Sequence, residues 1–192
     1  MNTNRQWLLA KRPHGMVGEE NFEYVETPIP EPGEGEVLVR NLYFSFDPTQ
    51  RGWMEDRESY LPPVQLGEPM RAGTIGQVVT SNNADFAAGD MVQTTGGWQD
   101  FVVVAPDQAV MGLTKLPDGG PPEMMMSVLG VTGLTAYFGL LDLGDPKPGE
   151  TVLVSGAAGA TGSVAGQIAR IKGCRVVGIA GGPEKCAWLK NE

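Results

Sequence analysis

Thr151-Val-Leu-Val-Ser-Gly-Ala-Ala-Gly-Ala-Thr-Gly162 is the stretch on which the fold is decided. Its first five residues are dense in β-branched and apolar side chains and read as a strand, and Gly162 to about Lys172 reads as a helix. A second strand follows at Arg175-Val-Val-Gly-Ile-Ala180. A further helix starts at Pro183, where proline is tolerated because a first-turn amide has no helical partner. Strand, helix and strand make a βαβ unit, which implies parallel strands and a right-handed crossover. Two parallel strands do not cover both faces of a sheet, and the chain stops at Lys190-Asn-Glu192, inside that helix. The unit therefore reads as the first part of a longer protein, or as a truncated product.

The loop between strand and helix carries the chemistry. Aligned on a GxGxxG dinucleotide fingerprint, Ala157 replaces the first glycine, while Gly159 and Gly162 hold the second and third places. The second glycine lets the backbone approach a pyrophosphate, and the third lets helix and strand pack closely. Free amides and the positive end of the helix dipole then meet the phosphates. A tight strand-to-helix turn with no ligand is the plainer alternative. An NAD site wants Asp or Glu about 20 residues beyond the glycines, on the ribose hydroxyl. Here that region is Ala180-Gly-Gly-Pro-Glu-Lys185, with glycines where the acid is expected. The space suits a 2′-phosphate, with Lys185 as its charge partner, and NADP is preferred. Lys185 also reads as an ordinary solvated helix lysine, and Glu184 is a competing acid at the helix start.

Residues 1–122 read as β-rich. Glu36-Val-Leu-Val-Arg-Asn-Leu-Tyr43, Thr74-Ile-Gly-Gln-Val-Val-Thr80 and Asp100-Phe-Val-Val-Val-Ala105 are strand candidates. Pro28 to Gly35, Asn82-Asn83, Ala88-Gly-Asp90 and Gly96-Gly97 supply turns between them. Short strands separated by glycines suggest a small, partly open barrel. Pro117-Asp-Gly-Gly-Pro-Pro122 reads as a hinge, and Glu123 onward as helical. Met124 to Leu141 is 18 residues without a charge, at the lower limit for a membrane span. Its glycines, threonines and serine, and its acidic flanks Glu123 and Asp142, favour buried helices broken near Gly130 to Gly133.

Composition narrows the partners. Among 192 residues, 23 are acidic and 14 basic, for a net charge of −9. No basic cluster is present, which argues against nucleic acid and anionic membranes. Cys174 and Cys186 make neither a disulfide framework nor a CxxC pair, so a reducing, cytoplasmic setting is the simpler reading. The early charges of MNTNRQWLLAKRPHG leave no signal-peptide core. Zinc chemistry lacks its ligands: no cysteine precedes Cys174, and the one histidine, His14, has no partner at ligand spacing. No metal is expected.

Several motifs carry a family likeness: Phe46-Asp-Pro-Thr-Gln-Arg-Gly-Trp-Met54, Ala72-Gly-Thr-Ile-Gly-Gln-Val-Val79, Gly130-Val-Thr-Gly-Leu-Thr-Ala-Tyr-Phe-Gly-Leu-Leu141, the glycine loop, and Val176-Val-Gly178 through Glu184-Lys185. Together they resemble the zinc-independent medium-chain dehydrogenase/reductases, in the branch of NADP-dependent alkenal double-bond reductases and prostaglandin reductases. That resemblance implies an α/β plus β chain, with a GroES-like, partly open β-barrel at 1–122 as the substrate domain. The first part of a Rossmann-type NADP-binding domain then occupies 123–192, with the active site between the two. It puts Gly159, Ala160, Thr161, Gly162 and Lys185 on NADP-contacting positions, Thr132 near the nicotinamide, and Pro48 and Thr49 on the cofactor cleft. Thr49 stands where the family commonly has tyrosine. The family's catalytic tyrosine lies beyond residue 192, so no catalytic residue is assigned here.

The implied reaction is NADPH-dependent reduction of the C=C bond of α,β-unsaturated aldehydes or ketones, small molecules, by a full-length homodimer. Hydride addition to a conjugated C=C–C=O leaves an enolate that hydrogen bonds can hold, without a metal to polarise the carbonyl. A zinc-free quinone reductase is the alternative within enzymes. A non-catalytic nucleotide-binding fragment is the alternative if 192 residues is the native length. Arg51 reads first as an ion-paired side chain and Tyr43 as a half-buried strand residue.

Overall fold

The computed structural model describes residues 3–107, 109, 112–117 and 119–191; Asp118 of the expected hinge and Glu192 at the chain end lie outside them. Two units, Met1–Gly119 and Gly120–Glu192, each make their own contacts.

In the first unit, β1 (Asn4–Leu9) and β2 (Phe22–Thr27) pair antiparallel as a separate two-stranded sheet. Next come β3 (Val37–Phe44), a short helix α1 (Thr49–Trp53), β4 (Thr74–Ser81), β5 (Met91–Thr94), β6 (Phe101–Val104) and β7 (Thr114–Lys115). The five later strands form one antiparallel sheet in the order β6-β3-β4-β5-β7. The three strands read from the sequence are its centre and one edge. β1, β2, β5, β7 and α1 were not foreseen, because short polar segments such as Met91-Val-Gln-Thr94 carry little periodic signal. The strands close no barrel among the described residues.

Valine sets the register. Val37, Val39, Val78, Val92 and Val104 bury one face with Leu113, and a one-residue slip would turn the strands' apolar set to solvent. A second cluster joins Leu9, Met54, Val64 and Met70, flanked by Phe22, Trp53 and Trp98. Asn4 ties the two sheets together. It is 1% exposed, and its amide copies a strand neighbour: Nδ2 donates to the Phe101 carbonyl at 2.9 Å and Oδ1 accepts the Phe101 N–H at 2.9 Å. Beside it the Arg5 guanidinium pairs with Asp100 at 2.6 Å.

The second unit opens with a 3-10 turn, Pro122–Met126, followed by α2 (Val131–Phe138) and a π-helical turn, Gly139–Gly144. The break expected near Gly130 to Gly133 falls between Met126 and Val131, where the Ser127 hydroxyl donates to the Glu123 carbonyl at 3.1 Å and Gly130 is the N-cap of α2. These helices were expected to be buried, yet Leu129, Val131, Leu134, Tyr137 and Phe138 are all exposed. The parallel pair β8 (Thr151–Ser155) and β9 (Arg175–Ile179) is joined by α3 (Ala160–Ile171), and α4 (Pro183–Asn191) follows. Strand, helix and parallel strand thus stand where the sequence put them. α3 packs on α2 and on both strands, and the buried apolar side chains here are Ala136, Ala157 and Ala169. Leu153 (64% exposed) and Ile179 (53%) remain open on the sheet. Among the described residues no helix is long and apolar enough to cross a membrane.

Two predictions concern the frame. Asn4→Ala strands a buried amide and carbonyl at Phe101, and should cost about 1–3 kcal/mol in urea denaturation. Arg5, Lys115 and Lys147 hold the carboxyls of Asp100, Asp90 and Asp145 below the ordinary carboxylate range, chiefly by side-chain hydrogen bonds. Each binds its proton less readily folded than unfolded, so its contribution is complete above the unfolded value of ~3.9 and is lost as pH falls below it. Urea midpoints should therefore drop below about pH 4, and Asp100→Asn should make that drop shallower.

Candidate functional site

The turn leaving β8 is built by backbone alone. Gly156 takes φ +60°, a left-handed conformation that favours glycine, immediately after the last strand residue. The Ala157 N–H then donates to the Ile179 carbonyl at 3.0 Å, anchoring the turn to the neighbouring strand. Gly159 donates back to the Gly156 carbonyl at 2.8 Å and serves as the N-cap of α3, with Ser163 N–H on its carbonyl at 2.9 Å. The helix therefore opens at Ala160, two residues before the start read from the sequence, and Gly162 lies in its first turn. The tight-turn glycine is Gly156 rather than position 157; a glycine directly after the strand's last residue was the available signal.

Close packing explains Gly162. A Cβ there would sit 2.4 Å from the Gly156 carbonyl oxygen, a backbone atom that cannot swing aside. With glycine as N-cap, no side chain caps α3, and no acceptor among the described residues takes the amides of Ala160, Thr161 or Gly162. Three open donors at the positive end of a 12-residue helix form an anion-attracting end. The residues fit a dinucleotide's diphosphate in the one respect the structure tests: a cradle closed to any side chain.

The remaining candidates fall in three places. Lys185 lies in the first turn of α4, after β9, so it shares the carboxyl end of the parallel pair with the glycine turn. It is exposed and makes no ion pair among the described residues, and a Cβ on Gly181 would meet nothing within 4 Å. Thr132 is the second residue of α2, which packs on α3, and its hydroxyl donates to the Ser127 carbonyl at 3.1 Å. Pro48 and Thr49 belong to the first unit, where Pro48 is the N-cap of α1 and both are exposed.

That last segment has a buried support which sequence reasoning missed. Gln50 is 4% exposed; its Nε2 donates to the Ser45 carbonyl at 2.9 Å and its Oε1 accepts the Asp47 N–H at 3.3 Å. The amide fixes the bend that presents Phe46, Pro48 and Thr49. Phe44, Phe46 and Trp98 gather beside it, with ring centroids 5.4–6.4 Å apart. Arg51 pairs with Glu55 at 2.9 Å and also reaches the Gly15 carbonyl, so the ion-paired reading of it holds. His14 is exposed, both cysteines are free thiols, and no group of three metal-ligating side chains is found among the described residues.

Comparison with known proteins gives the family of the chain. A family described as the N-terminal domain of oxidoreductase matches residues 5–112. The NADPH-dependent curcumin reductase of Escherichia coli K12 is 50% identical over 184 residues, which cover 95% of this chain and 52% of the relative. An NADP(+)-dependent 2-alkenal reductase of Nicotiana tabacum is 36% identical over 196 residues, 99% of this chain and 56% of its own length. Among solved structures, CurA from Vibrio vulnificus in complex with NADPH is 45% identical with a TM-score of 0.88, over 97% of this chain and 55% of that one. The chain spans about half the length of the curated relatives it matches. It belongs to this oxidoreductase family, in the zinc-independent branch of the medium-chain dehydrogenase/reductases.

Proposed function

We propose that the whole protein is an NADPH-dependent reductase of the C=C bond in α,β-unsaturated aldehydes and ketones. Residues 1–122 would be a GroES-like substrate domain, and 123–192 would begin the NADP-binding domain. The observation that carries this reading is the uncapped start of α3 packed onto Gly156, in a chain half identical to a curcumin reductase described as NADPH-dependent.

Each residue has a distinct task. The Ala160, Thr161 and Gly162 amides bind the diphosphate, with Gly159 keeping the approach free of a side chain. Lys185 pairs with the 2′-phosphate, which the open glycine run before α4 leaves unobstructed. Thr132, Pro48 and Thr49 orient the nicotinamide end. Bound in this way, the reduced nicotinamide supplies hydride. The substrate class follows from the names of the relatives, one acting on curcumin and one on 2-alkenals. A homodimer in the cytoplasm is the setting that goes with this reading.

Two outcomes test it. Gly162→Ala drives a Cβ into backbone, so it should cost about 1–3 kcal/mol by urea denaturation and remove saturable NADPH binding by fluorescence titration. Gly139→Ala, which meets nothing and lies outside the proposed site, is its control. Lys185→Gln should lower preference for NADPH over NADH by about tenfold in kcat/KM while 2-alkenals stay the substrates, as one lost charge-assisted contact dictates. Turnover of quinones alone, or an unchanged coenzyme preference, would remove the assignment.

A further inference from the structure

The loop 12–17, between β1 and β2, holds its shape by side chains. Among the described residues no backbone–backbone hydrogen bond starts or ends on it. Gly15 takes φ +86°, and Met16 at the tip is 90% exposed. Buried Asn21 pins the base of the loop: its Nδ2 donates to the Lys11 carbonyl at 3.1 Å and its Oδ1 accepts the Gly18 N–H at 2.8 Å. Beyond that base, two loop carbonyls are taken by a side chain from α1.

That side chain is Arg51, the middle residue of α1. Its Nη2 donates to the Gly15 carbonyl at 3.1 Å and to the Pro13 carbonyl at 3.5 Å, while Nη1 donates to Glu55 at 2.9 Å. A contact also runs the other way. Arg12, at the start of the loop, donates from Nη1 to the carbonyl of Met54 at 2.9 Å. Met54 is the C-cap of α1, and the last carbonyls of a helix have no partner within it. Each arginine thus satisfies backbone carbonyls on the other's segment, and the two forks close a clasp between loop and helix. A five-residue helix needs such help, since isolated helices shorter than ~12–15 residues are marginal. α1 is held from outside at both ends, by the buried Gln50 amide at its first turn and by the clasp at its last.

From this reciprocal contact we infer that Arg51 is a positioning residue: with Arg12 it fixes α1, and through α1 the orientation of Thr49, so that the rate of hydride transfer depends on the clasp. The functional half of the inference rests on the reductase reading above and on its placing of Thr49 at the nicotinamide end; the clasp does not. The contacts proposed for the two phosphate groups involve other residues, so the loss on opening the clasp falls on the rate and not on coenzyme affinity. Glu55 separates charge from position. Glu55→Gln removes the ion pair of Arg51 and leaves its carbonyl contacts, and a part-exposed pair of this kind contributes little by itself.

Two measurements on the full chain test this. Amide hydrogen exchange reads the clasp without coenzyme. Arg51→Met should speed exchange at residues 52–54 about tenfold, while Glu55→Gln stays within about twofold of the unaltered protein. Unchanged exchange there in Arg51→Met overturns the clasp. Single turnover reads the position: the protein is loaded with NADPH and mixed with excess 2-alkenal. Arg51→Met should lower the rate constant about tenfold, with the amplitude kept and the NADPH Kd within about twofold. Arg51→Lys should recover part of the rate, because an ammonium still reaches a carbonyl but lacks the fork. A smaller amplitude at an unchanged rate constant reports fewer folded molecules and overturns the positioning role, as does no change at all. An equal loss of rate in Glu55→Gln assigns the effect to the ion pair and overturns it too. Arg12→Met opens the same clasp from the loop side, and it takes the place of Arg51→Met where that variant does not fold. Absence of 2-alkenal reduction by the unaltered protein removes the reductase reading and the positioning role together, while exchange still decides the clasp.

Discussion

One backbone contact governs the second unit: the carbonyl oxygen of Gly156 against the first turn of α3, with 2.4 Å where a Cβ on Gly162 would stand. Drawing the helix this close to the strand that feeds it leaves no room for side chains at the junction. The amides of Ala160, Thr161 and Gly162 are then left open at the helix start, and their dipoles point the same way. A helix capped by serine or aspartate would have spent one of these donors on its own side chain. The absent cap and the absent Cβ therefore serve a single arrangement.

The parts of this that were legible in the sequence follow from pattern strength. Thr151-Val-Leu-Val-Ser155, the glycines and Arg175-Val-Val-Gly-Ile179 repeat the strand–turn–helix–strand signal with few alternatives, and the structure places β8, α3 and β9 accordingly. The boundary of α3 was misjudged by two residues because the fingerprint was aligned on glycine identity, whereas the turn is set by φ at Gly156. Along 124–141, apolar composition suggested burial, but burial is decided by what packs against a helix, and sequence periodicity is silent on that. Gln50 was passed over for a related reason: a lone glutamine between Thr49 and Arg51 has no motif, and only the folded chain buries its amide against Ser45 and Asp47.

The first unit is organised differently. Its apolar clusters are built largely from valine and methionine, and the joints between segments are made by buried amide side chains acting as surrogate backbone. Asn4 pairs with Phe101 as a neighbouring strand residue would, and Gln50 does the same for the Ser45–Asp47 bend. An amide carries both a donor and an acceptor, so one side chain satisfies two orphan backbone groups where the chain is irregular. That is why a small polar set, and not more hydrophobic area, positions the segment bearing Pro48 and Thr49.

Charge poses the last question, since a chain of net −9 is proposed to bind a dinucleotide's phosphates. At physiological ionic strength the screening length is about 8 Å, so distant carboxylates contribute little at the helix start. What counts is the local ledger of partners. Arg5, Arg12, Arg51, Arg57, Lys115 and Lys147 are each paired with a carboxylate, and their fields are spent in those pairs. Lys185 stands outside every such pair among the described residues, at the same carboxyl end of the parallel strands as the open helix start. Anion attraction in this acidic protein is thus local by construction: open amides and a nearby ammonium outweigh carboxylates that lie beyond the screening length.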